Sequence, residues 1–445
     1  MILRDPVHGL VSFETDEEQV VPLLMASAEV QRLRRVRQLG LTSLAFPGAE
    51  HTRFGHAIGA AFVMKRFLTR LRSIQHVLPF WQQVTSDIAR DALAAALLHD
   101  VGHGPFSHLF EGTIKSSSSH EVWTEQILLE PASEVHRLLV SLDPGMPQRV
   151  AALIRGEHPL PYLAKAVSGM MDVDRCDYLL RDAYATGVNY GSFDLDWLFQ
   201  SLCFSPTADP SCAPSLAIHG TKGLPAIEAF ILARLFMYQQ VYFHKASRAA
   251  EWMIRSLLKR VTACLSEGGH LPQVPRAIKQ AALGDAIDLT DYLELDDVAL
   301  TFAMHAWEAV SDPVLSDLAQ RIRHRRLFKT LELFGEHAKQ ENCDRLLQIG
   351  KEIAKAGGFD PDFYIGLDVA SHVAFSTKQD PLLVVYAKGP ARSLDHVSFL
   401  LGRLANQQLA RIRLIFAPEL REDIVAAIGC EVGEEQSSCA ASFSS

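Results

Sequence analysis

The segment from His99 to His108, His-Asp-Val-Gly-His-Gly-Pro-Phe-Ser-His, places three histidines and an aspartate within ten residues. Imidazole nitrogen and carboxylate oxygen together suit Zn, Mn or Fe. His99 and Asp100 follow a short Ala/Leu segment, 91–98, that reads as a helix leaving the core. Neighbouring side chains on a helix diverge by about 100°, yet both reach a cation lying off the helix end. Gly102, Gly104 and Pro105 then let the chain turn and bring His103 and His108 back towards that point. The competing explanation is a helix C-terminus whose histidines complement the dipole. A cap needs fewer such groups than this segment supplies.

Two further stretches carry chemistry at helical spacing. Asp174, Tyr178 and Asp182 stand four apart, on one helical face, as do Arg234, Tyr238 and Tyr242. Carboxylate, phenol and carboxylate can ligate a metal and then meet sugar hydroxyls; a cation with two phenols suits a phosphate and a sugar or base. A solvated surface helix competes for the first stripe and an aromatic interface helix for the second. Arg53 and His56 share a face three apart, whereas His51 lies elsewhere and reads as structural.

These groups need helices to position them. Residues 51–72, 120–129, 165–184 and 225–265 show helical periodicity, with Ser119 an expected N-cap. Residues 116–119 and 205–214 read as loops. Later in the chain, 363–370, 382–387 and 412–416 read as strands, with a helical stretch at 393–408 between the last two. The expected fold is mainly α: a helical domain over 1–340, a small α+β C-terminal subdomain over 341–430 and a flexible tail over 431–445.

The chain has 445 residues, 48% of them apolar and 21% charged, which excludes a wholly disordered protein. No apolar run approaches the ~20 residues of a membrane span, and the N-terminus lacks a signal-peptide core, so a cytoplasmic location and no membrane partner are expected. The net charge of −9 argues against a general nucleic-acid coat but leaves a local basic pocket open. The seven scattered cysteines form no C-x-x-C pair and fit reduced thiols. Of 18 histidines, His51, His56, His99, His103, His108 and His120 crowd between 51 and 120.

Together these residues resemble the HD superfamily of metal-dependent phosphohydrolases, whose ordered pattern H…HD…D appears as His56, His99-Asp100 and Asp174. The flanking text, RDPVHG at 4–9, QRLRRVRQLG at 31–40, FPGAEHTRFGH at 46–56, HDVGHGPFSH at 99–108, DVDRCDYLLRD at 172–182, YFHK at 242–245 and DHVSF at 395–399, is similar to the deoxynucleoside triphosphate (dNTP) triphosphohydrolase branch, which includes bacterial dGTPases. The resemblance implies that water attacks the α-phosphorus of a dNTP, giving a deoxynucleoside and tripolyphosphate. It assigns a divalent metal (Mn, Fe, Mg or Zn) to His56, His99, Asp100 and Asp174. It sets His103, His108 and His120 along the phosphates, with His120 and Glu111 as an acid/base pair; Glu111 stands where relatives often carry Asp. It gives Arg53, Arg175, Arg234 and Lys245 to phosphate, Gln38, Tyr178 and Asp182 to the deoxyribose, and Tyr242 to sugar and base.

The resemblance also implies a homo-oligomer (dimer, tetramer or hexamer) and an activating nucleotide near Gln31 and Arg34, although Ala26 and Arg4 depart from the guanine-reading pattern there. The basic runs Arg32–Arg37 and Arg321–Arg326 read either as phosphate-facing or as solvated helix faces. Two other functions compete: an HD phosphodiesterase or nuclease acting on single-stranded nucleic acid or cyclic nucleotides, and a non-catalytic nucleotide sensor.

Overall fold

The computed structural model describes residues 1–106, 118–205, 214–373, 375–377 and 382–428. The chain opens with an antiparallel hairpin, β1 (Ile2–Asp5) and β2 (Gly9–Ser12). Helices then dominate. Arg53–Ile74 lies buried between the helices Ser86–Leu98 and Val173–Thr186. Its small residues permit this: a Cβ at Gly59 would stand 1.9 Å from Asp177 Oδ1 and 2.3 Å from Arg181 Nη2, so the third helix approaches as closely as only glycine allows.

Side-chain caps fix the ends of two of these helices. Thr85 accepts from the Ile88 N–H, and Asp172 accepts from the Arg175 N–H. Gly187, at φ 75°, closes the Val173–Thr186 helix in the left-handed region. Ser119 precedes the His120–Leu129 helix as expected, but its side chain makes no capping hydrogen bond.

The periodicity at 225–265 resolves into two helices rather than one. Gly220–Met237 runs into a π-helical turn, Tyr238–Tyr242, and a new helix starts at Lys245 and continues to Ser266. The wider π turn re-aims the side chains that follow it.

The remaining strands form two sheets. β3 (Leu202–Phe204), β4 (Leu216–His219), β7 (Leu383–Val385) and β8 (Arg392–Ser393) make one, with β4 and β7 parallel. β5 (Lys329–Leu333), β9 (Gln408–Phe416) and β6 (Ile365–Val373) make an antiparallel sheet in which Ile365 faces Phe416 and Val373 faces Gln408. The strand expected at 382–387 therefore leaves the C-terminal sheet, and β5 joins it from ahead of residue 341. Short strands carry no mark of their partner, because pairing is set by distant sequence.

Two buried apolar clusters hold these layers. The first includes the helices up to Met237 together with Val384, Leu394 and Leu401. The second gathers the Lys245–Ser266 helix, the helices at Asp297–Trp307 and Pro313–Arg323, and the β5–β9–β6 sheet, so the expected boundary at 341 falls inside it. Among the described residues, no helix is long and apolar enough to cross a membrane. Leu414 is fully buried on β9. Leu414→Ala is expected to cost about 2–5 kcal/mol through lost burial and a residual cavity, measured by chemical denaturation.

Candidate active site

Three helices bring two imidazoles and a carboxylate to one point. His56 Nε2 lies 3.1 Å from Asp174 Oδ1, His99 Nε2 lies 3.4 Å from the same oxygen, and the two Nε2 atoms are 3.3 Å apart. Ligand atoms about 2.1 Å from one metal stand ~3.0 Å apart when octahedral and ~3.4 Å apart when tetrahedral, so the triangle has the size a divalent cation requires. The far ring nitrogens settle the tautomers. His56 Nδ1 is 2.8 Å from Asp177 Oδ2 and His99 Nδ1 is 2.9 Å from the Ala96 carbonyl, both acceptors, so each Nδ1 keeps its proton and each Nε2 faces the triangle, able to present a lone pair there once its own proton is gone. Asp100 Oδ1 lies 3.5 Å from His99 Nε2, while its Oδ2 accepts from Arg53 Nη1.

Charge follows from this crowding. Burial opposes the His56 imidazolium, but the Asp174 and Asp177 carboxylates outweigh it and lift its pKa to about 10. Burial also opposes the Asp100 carboxylate, yet Arg53, His99 and His103 pull it well below the ordinary range. Burial and then Arg53 hold His103 well below the usual histidine value, so it is neutral at pH 7. Its ring stacks on His120 at 3.8 Å, and Asp100, His103 and His120 form a second group of convergent ligand atoms.

Asp100 and Asp174 line a cavity of 480 Å³. Arg53, His103, His120, Arg175 and Arg234 line it too, with Gln38, Tyr178, Asp182 and Tyr242. The Nε donors of Arg53 and Arg175 are buried without a hydrogen-bond partner among the described residues. Tyr242 donates to Asp182 Oδ2 at 2.8 Å, and His51 Nε2 meets Asp182 Oδ1 at 2.8 Å.

Comparison with known proteins agrees with this arrangement. The HD domain family matches residues 53–182, and the HD associated region matches residues 212–268 and 273–432. The YwfO protein of Bacillus subtilis is 32% identical over 426 residues, covering 94% of this chain and 92% of that protein. The chain belongs to the HD family of phosphohydrolases. A solved phosphohydrolase from Bacteroides thetaiotaomicron superposes with a TM-score of 0.77 at 29% identity, covering 94% of this chain and 99% of that one. The deoxynucleoside triphosphate triphosphohydrolase SAMHD1 of Danio rerio is 28% identical over 402 residues, covering 80% of this chain but 59% of that protein. HD domains bind divalent metals, and the ring-nitrogen geometry above fits one.

Other residues of this HD protein lie where the sequence did not put them. Lys245 turns away at the start of its helix and lines a separate 350 Å³ cavity with Arg325, Lys329 and Arg421. Gln31 and Arg34, expected at a separate activating-nucleotide site, do not line the 480 Å³ cavity, as that expectation requires; Arg34 Nε donates to Gln31 Oε1 at 2.8 Å and its guanidinium lies 3.6 Å over Phe54. Arg32 is no surface group at all: 2% exposed, it donates to the His103 and Leu295 carbonyls. In the other basic run, Arg321 is buried against Asp317 and Glu419. His108 and Glu111, like the tail over 431–445, lie outside the described residues.

Several residues in or next to the cavity wall lie outside the set to which the sequence pointed. His51, read as structural, orients Asp182. His372, on β6, stacks on Tyr238 at 3.4 Å, and burial with Arg234 and Arg175 lowers its pKa to about 3. Arg248, Glu251 and Arg255 line the cavity from the Lys245–Ser266 helix, and their spacing of three and four was the available signal.

An imidazolium cannot ligate, so cation uptake must expel the His56 proton at any pH below its pKa of about 10. Mn²⁺ is accordingly expected to bind more tightly at about pH 8 than at about pH 6. Calorimetry in buffers of differing ionisation enthalpy is expected to show proton release.

Proposed function

We propose that this chain hydrolyses deoxynucleoside triphosphates to deoxynucleoside and tripolyphosphate. The observation that carries the reading is the His56–His99–Asp174 triangle beside a cavity into whose wall Arg53 and Arg175 bring buried Nε donors that have no hydrogen-bond partner among the described residues. A polyphosphate supplies the acceptors those donors need, and guanidinium matches phosphate better than ammonium does. The SAMHD1 relatives, named as deoxynucleoside triphosphate triphosphohydrolases, support the same substrate class.

His56, His99, Asp100 and Asp174 would hold the metal. A divalent cation held there supplies Lewis-acid charge and lowers the pKa of water. Arg53, Arg175 and Arg234 would neutralise the triphosphate, with Asp172 tethering Arg175. Water bonds to the α-phosphorus, the bond to the 5′-oxygen breaks, and His120 would deliver a proton to that oxygen, with Glu111 as its partner. His103, being neutral, can donate to a phosphate oxygen without adding charge. Asp182, held by His51 and Tyr242, would accept from a sugar hydroxyl. Tyr178 and Tyr242 crowd the ribose face, their rings 6.3 Å apart, which favours the sugar without a 2′-hydroxyl.

Purified protein given Mn²⁺ and four dNTPs is expected to release tripolyphosphate and free nucleoside, resolved by ion-exchange chromatography. Pyrophosphate, monophosphates or cut oligonucleotides would place the chain instead among HD phosphodiesterases or nucleases. Metal bound with no turnover of any dNTP, candidate activators included, would leave a nucleotide sensor. Asp174→Ala is expected to remove both metal and turnover, whereas His120→Ala keeps the metal and lowers kcat by about 10²–10⁴, as read by metal analysis and steady-state kinetics.

A further inference from the structure

One carboxylate joins the metal triangle to the N-terminal hairpin. Asp177 is fully buried and receives four donors. His8 Nε2 is 2.6 Å and Arg181 Nη2 is 2.9 Å from its Oδ1; His56 Nδ1 and Arg181 Nε are each 2.8 Å from its Oδ2. A carboxylate offers about four acceptor sites, so this one is saturated. Arg181 also reaches Asp5 Oδ2 at 2.8 Å, and Asp5 Oδ1 accepts from the His8 N–H at 2.9 Å. Asp5, His8, Asp177 and Arg181 therefore close a ring, half of it supplied by the turn between β1 and β2.

The two imidazoles of the triangle are backed differently. The neutral backbone carbonyl behind His99 Nδ1 is beyond the reach of any side-chain change. The charge behind His56 Nδ1 has a position set by groups elsewhere in the chain. A carboxylate there fixes the tautomer and raises the basicity of the ligating nitrogen.

We infer that the hairpin turn is a working part of the metal centre: His8 is a positioning residue that, with Asp5 and Arg181, holds Asp177 against His56 and so sets the grip on the cation. This inference rests on the metal reading of the triangle. A purely architectural hairpin would anchor the N-terminus and leave cation affinity alone.

The test is Mn²⁺ affinity by titration calorimetry, without substrate. His8→Phe keeps the ring that packs on Phe62 at 5.6 Å but removes the donor; its affinity is expected to fall about 10–100-fold, the usual effect of losing such support. His8→Gln restores a donor at the Nε2 position and is expected to hold within about threefold of the parent on that same scale. Thermal unfolding with a chelator present checks that both variants are folded. Wild-type affinity in His8→Phe, or equal losses in both variants, overturns the inference. Asp174→Ala separates the two levels: if it binds Mn²⁺ as the parent does, the metal reading itself falls and this inference with it.

Discussion

Water cannot reach Asp177, and much of the site is arranged to make that tolerable. An isolated buried carboxylate costs many kcal/mol, and removing one partner from a buried pair costs about 3–5 kcal/mol. Asp177 is satisfied from three directions, by His8, His56 and Arg181. That requirement brings the Val173–Thr186 helix onto Arg53–Ile74, demands glycine at 59 and draws the N-terminal hairpin down over both. Asp174, one turn earlier on the same helix, is thereby delivered beside His56 and His99. The geometry of the ligand triangle is a consequence of how one charge was buried.

The cavity beside it keeps opposite charges close without cancelling them. Asp100 lies beside His99 Nε2 and also accepts from Arg53, so one side chain would join the proposed cation and anion subsites. Arg175 is similarly leashed by Asp172, whose own carboxyl is pushed up to about 6 by burial. Guanidiniums tied in this way would already be oriented for the phosphate of the proposed substrate, which would lower the entropy lost on binding.

Part of this was legible in the sequence because it is local. The His99-Asp100 pair with its glycine-rich turn, and the i, i+4, i+8 stripes, stand out by spacing, His56 joins them through the family resemblance, and the structure sets His56, His99, Asp100 and Asp174 within reach of one another. What stayed hidden depends on contacts far apart in sequence. Asp177 carries no signal of its own in the sequence, because His8, which closes on it, lies 169 residues away. Arg32 sits in a run that looks like a basic surface, yet its partners come from residues 103 and 295. Lys245 looked continuous with Tyr242 because hydrophobic periodicity does not reveal a π turn followed by a break. The partners of β5 and β7 were invisible for the same reason: a strand of three to five residues states its own pattern and not its neighbour's.

The parallel pairing of β4 with β7 has a consequence for how this chain is made. The polypeptide leaves the first apolar cluster after Val241, builds most of the second, returns to the first for Phe375 to Leu401, and then crosses back as β9. The ligand-bearing half therefore still lacks part of its interior until Leu401 has emerged from the ribosome. Shortening the gene ahead of Phe375 removes Phe375, Leu382, Val384, Leu394 and Leu401 from the first cluster and leaves that hydrophobic layer incompletely filled.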